Sequence, residues 1–572
     1  MCLVAAATAL AVVAPLFFLG IPSGHDFQFH AASWLEAAGQ WKQGVLYPRW
    51  AEWANYGFGE PRFIFYPPLS WMLGGALGLV LPWNTVPGAL IALTVFIAAI
   101  SMYALARRWL PEPRTGPEGA ALLAAVFYAA NHYALVVFYV RSDFAEALAS
   151  AAYPLALLAA FDIVLKEVHP AARPVSGSVA LGAVAFAAMW LANAPAGLLA
   201  SYSLALVFAV GAWMRRSLRP LVAGGAVLAL GFLLSAFYLM PAVYEQRWVN
   251  IGEALSSGLR PADNFLFSST PDPEHNWFNF IISAVAVGMI VLAGVAAIMT
   301  RRRWDAEKEQ RPKNCWRLLV LLAAAATALM LPLSGVLWRW LPEFAFLQFP
   351  WRWLIVLAAP MACFLATSVA GSRRRVAWAG LVFALFAGTG WFLTRQAWWN
   401  SEDIPVLRRA VAQGQGYEGT DEYDPAGDDR SELSQRAPRV ALVTAGEQGD
   451  QGEKVAPPDA GKIRLERWQP EEKRIVVEAR EPVRVALRLL NYPAWRVEVN
   501  GRAVHPEKPE QTAQMVLPLP AGLQHIRARF VRTRDRSLGI AISAVGMLAL
   551  LCLIWTGRRQ DPSANCRSSM AR

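Results

Sequence analysis

The carboxylates that could do chemistry stand where apolar runs have just ended. Asp26 follows the first run, in Ile21-Pro-Ser23-Gly-His25-Asp26-Phe-Gln-Phe-His30. A carboxylate there could take a proton from an attacking hydroxyl. It could equally cap a helix, because Ser23-x-x-Asp26 fits a capping box and acids favour the first helical turn. The second place is Arg141-Ser-Asp143-Phe-Ala-Glu146. Asp143 and Glu146 are three apart and share one helical face. Asp143-x-x-Glu146 is again a capping box, but Glu146 would lie near membrane depth, where ionised groups are costly and usually functional.

Basic and aromatic residues supply the complement. Arg352, in Gln348-Phe-Pro350-Trp-Arg352-Trp, could hold a phosphate and stabilise a leaving group, with Arg62, Arg141, Arg247 and Arg49 as further candidates. Trp-Arg-Trp is also what an aromatic belt looks like, and Arg49 and Arg62 sit among Trp and Tyr as headgroup anchors do. His25 and His30 flank Asp26, as substrate ligands or as interfacial side chains. Tyr66 and the other loop aromatics could stack on sugar rings. The five cysteines form no CxxC or zinc spacing, and no Walker loop or convincing GxGxxG is present. The glycines at 222–231 fall inside an apolar run and suit helix packing.

The elements that must position these residues follow from charge and hydropathy. The chain of 572 residues is 56% hydrophobic and 17% charged, against about 25% charged in soluble domains. Residues 401–536 hold 44 of the 95 charged side chains. This excludes a soluble enzyme and a disordered chain, and points to a polytopic membrane protein with one polar segment. The net charge of +11 does not argue for nucleic acid, because the basic residues cluster between apolar runs, as on a cytoplasmic face.

Runs of the roughly 17–25 residues needed to span a bilayer fall near 2–20, 86–106, 118–139, 145–166, 177–194, 195–213, 219–240, 276–300, 316–333, 350–371, 374–394 and 537–556. Residues 2–20 read as a first span rather than a cleaved leader, having no basic start and no clear cleavage site. The basic clusters are Arg107/Arg108/Arg114, Lys166/Arg173, Arg215/Arg216/Arg219, 301–303 with Lys308, Arg311 and Lys313, 373–375, and Arg558/Arg559. With all six inside, the segments 21–65, 140–144, 192–196, 241–275, 334–349 and 395–536 face outward. This requires that the Pro-rich run 66–82 not cross fully.

Within 21–65, residues 26–41 suit an amphipathic helix: Phe27, Ala31, Trp34, Ala38 and Trp41 fall on one face, with Asp26, His30 and Ser33 beside it. Such a helix would lie flat in the interface. The polar segment reads as loop at 416–429, then as alternating strands at 462–468, 474–479, 483–490, 495–499, 514–519 and 525–532, with Asn500-Gly501 as a hairpin turn. That spacing suggests a small antiparallel sandwich.

The motif order YPRW, NYGFGEPRFIFYPPL, RSDFAEALA, YLMPAVYEQ and LQFPWRWL resembles the bacterial 6-pyruvoyl-tetrahydropterin synthase-related membrane family over about residues 20–400. NYPAWRVEVNGRAV is similar to the outer domain of their relatives. More broadly the layout resembles the GT-C glycosyltransferase superfamily. The resemblance implies an all-α polytopic membrane domain of about 12–13 spans over 1–394, an extracytoplasmic β-sandwich-like domain over 395–536, a terminal span at 537–557 and a cytoplasmic tail at 558–572. It implies hexosyl or pentosyl transfer, at the outer face of a bacterial inner membrane, from a polyprenyl-phosphate sugar to a cell-envelope glycan, lipid or protein. Asp26 matches the base or acceptor-positioning group of such enzymes, and Asp143 and Glu146 their second acidic motif. The first-loop acid lacks an acidic partner, which leaves a divalent metal open as a cofactor. The competing classes are a flippase for lipid-linked glycans, which would favour inverted repeats and mid-membrane charges, and a non-catalytic scaffold.

Overall fold

The computed structural model describes residues 1–111, 117–165, 176–306, 310–371, 375–429, 432–444, 454–455, 460–507, 509 and 512–559. Arg114, Lys166, Arg173, Lys308, Arg373 and Arg374 of the basic clusters lie outside the described residues.

Ten helices among the described residues are long and apolar enough to cross a membrane. The helix Ser176–Ala192 is shorter, and Lys313–Leu329 with Pro332–Trp340 forms a pair bent by 88°. Each of the twelve expected runs coincides with one of these elements. The helix Pro350–Ala370 is central, with 94% of its apolar window buried, while Val376–Gln396 and Arg534–Gly557 are peripheral at 17%.

Contacts at the helix ends decide how 66–82 runs. The Asp26 amide donates to the Arg141 carbonyl at 2.9 Å, and the Ser23 amide to the Trp398 carbonyl at 2.7 Å. The ends of Cys2–Leu19, Glu118–Arg141 and Val376–Gln396 therefore share one face. Between residues 20 and 141 two long helices already cross and return. A third crossing would put Asp26 and Arg141 on opposite faces. The helix Pro68–Val80 has 13 residues, about 20 Å at 1.5 Å per residue, short of a hydrocarbon core of about 30 Å.

On that face sits an antiparallel sandwich. Its strands are β1 (Val440–Thr444), β2 (Lys454–Val455), β3 (Gly461–Gln469), β4 (Glu472–Ala479), β5 (Val483–Leu490), β6 (Trp495–Val499), β7 (Arg502–Val504), β8 (Gln514–Leu519) and β9 (Gly522–Phe530). The sheets have orders β2-β1-β5-β8 and β3-β4-β9-β6-β7. All six expected strands are present. Asn500 (φ 50°) and Gly501 (φ 76°) turn β6 into β7, the left-handed pair that a tight hairpin needs. β1 lies in the stretch from which no strand was expected, and the helix Asp403–Ala412 precedes it.

The first loop is built into this domain. Trp50 is buried among Tyr492, Trp495 and Phe530. A Cβ on Gly59, at φ +78°, would fall 2.0 Å from the Trp50 ring nitrogen, so only glycine fits there. Lys473 Nζ donates to Glu52 at 2.8 Å. Arg536, at the start of the last helix, grips Glu245 through Nε and Nη2, both at 2.7 Å, and the Tyr492 hydroxyl donates to the same carboxylate at 2.6 Å. All three groups are buried. Arg536→Met leaves a buried carboxylate without its cation and is expected to cost about 3–5 kcal/mol, read as a lowered thermal midpoint in detergent.

The helix Phe27–Lys42 forms where expected, but it is not a surface helix. Phe27, Ala31, Trp34 and Ala38 are buried inside the protein, and so are His30, Ser33, Glu36 and Gln40 on the other face. The polar face is roofed by 50–62 and by 416–424, whose groups bond Ser33, Glu36 and the Gln40 side-chain nitrogen. Glu36 accepts from the Trp53 amide at 2.6 Å and the Tyr417 hydroxyl at 3.0 Å. Burial pushes its carboxyl up to about 7, against the pull of these donors. A folded-state value above the ordinary 4.5 makes stability greatest at low pH and loses it as pH rises through about 7. Glu36→Gln is expected to remove that part of the decline in thermal midpoint across this window.

Candidate active site

A backbone irregularity assembles the site. The helix Glu118–Arg141 ends in a π-turn over Val136–Arg141, and Ser142 then takes a left-handed φ of 56°. This reversal aims Arg141, Asp143 and Glu146 at one point. The Ser142 hydroxyl donates to the Pro22 carbonyl at 2.8 Å and accepts from the Gly24 amide at 3.0 Å, which brings Asp26 alongside. A Cβ on Gly24 would lie 2.1 Å from the Val140 carbonyl oxygen. Gly24→Ala is therefore expected to displace Asp26 and cost about 1–3 kcal/mol. Gly39→Ala, where a Cβ meets nothing within 4 Å, should leave thermal midpoint and activity intact, and comparing the two checks the argument.

Arg141 is the hub. Its Nη2 donates to Asp26 Oδ2 and to Asp143 Oδ2, both at 3.0 Å, and its Nη1 to Glu146 Oε2 at 2.7 Å. Arg352 Nε donates to the same Glu146 oxygen at 2.9 Å, and its Nη1 to the Leu347 carbonyl at 2.8 Å and Gln348 Oε1 at 3.1 Å. The Tyr133 hydroxyl donates to Glu146 Oε1. Phe349 lies beneath both guanidinium groups, 5.7 Å from that of Arg141 and 4.7 Å from that of Arg352. Trp351 and Trp353 are buried, so Trp-Arg-Trp is core here and not an aromatic belt.

The three acids differ in what they are free to do. Asp143 caps the helix Phe144–Leu165 by accepting from the Glu146 amide at 2.9 Å, while His30 Nε2 stands 3.5 Å away. Glu146 is fully occupied. Asp26 occupies the cap position of Phe27–Lys42 yet its carboxylate makes no capping bond, and solvent reaches 38% of its side chain. Burial resists ionisation of both aspartates. At Asp143 the charges of Arg141, His30 and Arg352 prevail and hold the carboxyl below its ordinary range. At Asp26 burial prevails over Arg141, and the carboxyl is raised. A raised carboxyl is the better proton acceptor.

Asp26, Arg141, Asp143 and Arg352 open onto a cavity of about 600 Å³, within the usual range for ligand sites. Arg352 Nη2 stands 3.9 Å from Asp143 Oδ2. Tyr66 and Arg62 line the same space. Arg62 is largely engaged, donating to Glu60 at 2.6 Å and Ser33 at 3.2 Å. Another wall is formed by the Gly- and Asp-rich segment expected to be loop: Tyr417, Glu418, Thr420, Glu422 and Tyr423. It is fixed by the Thr420 amide donating to Glu60 at 2.8 Å and by Asn55 donating to Asp424 at 2.7 Å. Burial lifts the Glu422 carboxyl to about 7. A hint was legible in the two Tyr/Glu pairs Tyr417-Glu418 and Glu422-Tyr423.

Five candidates do not line the cavity: His30 and Glu146, which are buried, and three that stand apart from it, Arg49, Arg247 and His25. Arg49 stacks on Tyr47 at 5.3 Å, in the field of Arg536 and Glu471. Arg247 stacks on Tyr244 at 3.9 Å and faces another groove. His25 is exposed, edge-on to Phe278. Their positions in aromatic-rich loops gave no indication of which side of the loop they would face. Among the described residues no group of three or more His, Cys, Asp or Glu side chains is arranged to hold a metal ion. Asp26, Asp143 and Glu146 instead share guanidinium partners, so this donor set does not fit a divalent cation.

No family model matches the chain, including that of the pyruvoyl-tetrahydropterin synthase-related family, and no curated protein matches it. Solved structures similar to it include the arabinofuranosyltransferase AftD from Mycobacteria, at 18% identity over 69% of this chain and 26% of that one, with a TM-score of 0.44. The oligosaccharyltransferase AglB from Archaeoglobus fulgidus, in complex with an inhibitory peptide and a dolichol-phosphate, is 14% identical over 73% and 56%, with a TM-score of 0.39. ArnT from Cupriavidus metallidurans is 13% identical over 73% and 88%, with a TM-score of 0.26. The chain spans about a quarter of the length of AftD.

Proposed function

We propose that the protein is a membrane glycosyltransferase that moves a sugar from a polyprenyl-phosphate donor to an extracytoplasmic hydroxyl acceptor. The observation that carries this reading is Asp26: a carboxylate at a helix start that does not cap, opens on a cavity and shares that cavity with the guanidinium of Arg352.

The acceptor oxygen attacks the anomeric carbon and Asp26 takes its proton. The bond from that carbon to the phosphate oxygen breaks, and the electron pair leaves with the polyprenyl phosphate. Arg352 Nη2 meets the charge that develops on the leaving oxygen, in a site where low dielectric strengthens the interaction. Arg141 binds no substrate in this scheme; it holds the acids in place. The cavity also meets exposed apolar side chains, Val243 at 65% and Leu259 at 36% exposure, which suit a lipid tail. The basic clusters support an orientation with the sandwich face outside the cytoplasm, and the proposed membrane is a bacterial inner membrane.

The test uses protein reconstituted in nanodiscs with polyprenyl-phosphate sugars and envelope glycan, lipid and peptide acceptors. Transfer by the wild type and its loss in Asp26→Asn support the reading. Equal transfer by both rejects the base.

A further inference from the structure

A second groove, of about 700 Å³, backs onto the central cavity. The two share a wall made of two short segments. Gln246 and Tyr423 line the central cavity, whereas Arg247, Trp248, Pro425 and Ala426 line the groove. The segments are tied by the Ala426 amide donating to the Trp248 carbonyl and the Asn250 amide to the Asp424 carbonyl, both at 2.9 Å. The opposite wall belongs to the sandwich and includes Asn491, Arg496 and His505.

The chemistry of the groove is unlike that of the cavity. Among the described residues no acidic side chain lines it, while Asp26, Asp143, Glu418 and Glu422 line the other. The Arg247 guanidinium lies 3.9 Å over Tyr244 and 5.5 Å from the Trp248 ring centre. It is exposed and has no carboxylate partner among the described residues. A guanidinium held flat on aromatic rings is weakly hydrated and keeps its N–H edge for an anion. Arg496 is paired with Glu498 at 3.2 Å but adds positive charge at the rim, and His505 is exposed. Trp248 is half-buried and lines the groove, and an indole is an apolar surface suited to the C–H side of a pyranose.

We propose that this groove is an outer subsite for an anionic saccharide, a glycan segment bearing carboxylate or phosphate groups. Arg247 takes the acid group, Trp248 the ring face, and Asn491 and His505 the hydroxyls. That the bound segment belongs to the acceptor rests on the proposed glycosyl transfer; the binding itself does not.

The test is titration of the full chain, in nanodiscs of zwitterionic lipid, with tetragalacturonate and with a phosphorylated oligomannoside, using maltotetraose as the neutral comparison. At least one anionic probe is expected to bind more tightly than maltotetraose and to weaken with salt. Arg247→Gln is expected to lower that affinity about tenfold at unchanged thermal midpoint. Asp26→Asn, in the other cavity, should bind as the wild type does. Failure of both anionic probes, equal binding of maltotetraose, or unchanged affinity in Arg247→Gln overturns the subsite. Displacement of the probe by phosphatidylglycerol in the nanodisc assigns the groove to lipid headgroups and overturns it as well. Saccharide binding with transfer insensitive to Asp26→Asn removes the base assignment alone.

Discussion

Replacing Asp26 by Asn is expected to lower transfer by about 10²–10⁴-fold while leaving the protein folded and inserted. The two expectations separate because of what the carboxylate touches. It makes no helix cap, and among the described residues its side-chain hydrogen bond is to Arg141, at 3.0 Å. An Asn oxygen can still accept that bond, and Arg141 keeps Asp143 and Glu146. Stability should therefore change little. Proton transfer is lost altogether, because an amide has no basic pair to offer. The raised carboxyl adds a second signature. Wild-type transfer should climb with pH until Asp26 is ionised, and the residual rate of the variant should be flat over the same range. A variant that unfolds, or one that retains the wild-type profile, contradicts the assignment.

Arg141→Met has the opposite character: a collapse of both stability and activity. The guanidinium serves Asp26, Asp143 and Glu146 at 2.7–3.0 Å and is itself buried. Without it Arg352 and His30 are left facing the acids. Leaving buried charge uncompensated costs about 3–5 kcal/mol, expected as a fall in thermal midpoint. Arg141→Lys should not restore the site, because one ammonium cannot span contacts made from both arms of a fork. The double variant Arg141→Met with Glu146→Gln should regain part of the midpoint without regaining transfer, since the loss arises from stranded charge. If the double variant is no more stable than the single one, the charge explanation is wrong and packing of the Met side chain against Trp351 decides.

Much of this was legible in the sequence because membranes enforce simple patterns. Apolar length gave the spans, and alternation gave six strands to within about three residues. Asp26, Arg141, Asp143, Glu146 and Arg352 were noticed because ionisable residues at the ends of apolar runs are rare. What could not be read was long-range. The π-turn before Ser142 breaks no sequence rule, so the convergence of 141–146 on Asp26 was invisible. The helix Phe27–Lys42 has the amphipathic pattern of an interfacial helix, and nothing local says that 416–424 returns to cover its polar face. That same segment is rich in Gly, Asp and Glu, as loops are, although it walls the cavity. Trp351 and Trp353 satisfy the pattern of a belt and are core. Arg49 and Arg247 lie on loops of the same composition as Arg62 and were separated from it only by how those loops fold.

The most direct test of the central claim is a structure of the protein in a nanodisc with a polyprenyl phosphate bound. The phosphate is expected within hydrogen-bond distance of Arg352 Nη2, inside the cavity that Asp26 lines, with the lipid tail leaving past Val243. A phosphate held elsewhere, with Asp26 facing only Arg141 across an empty cavity, would contradict it.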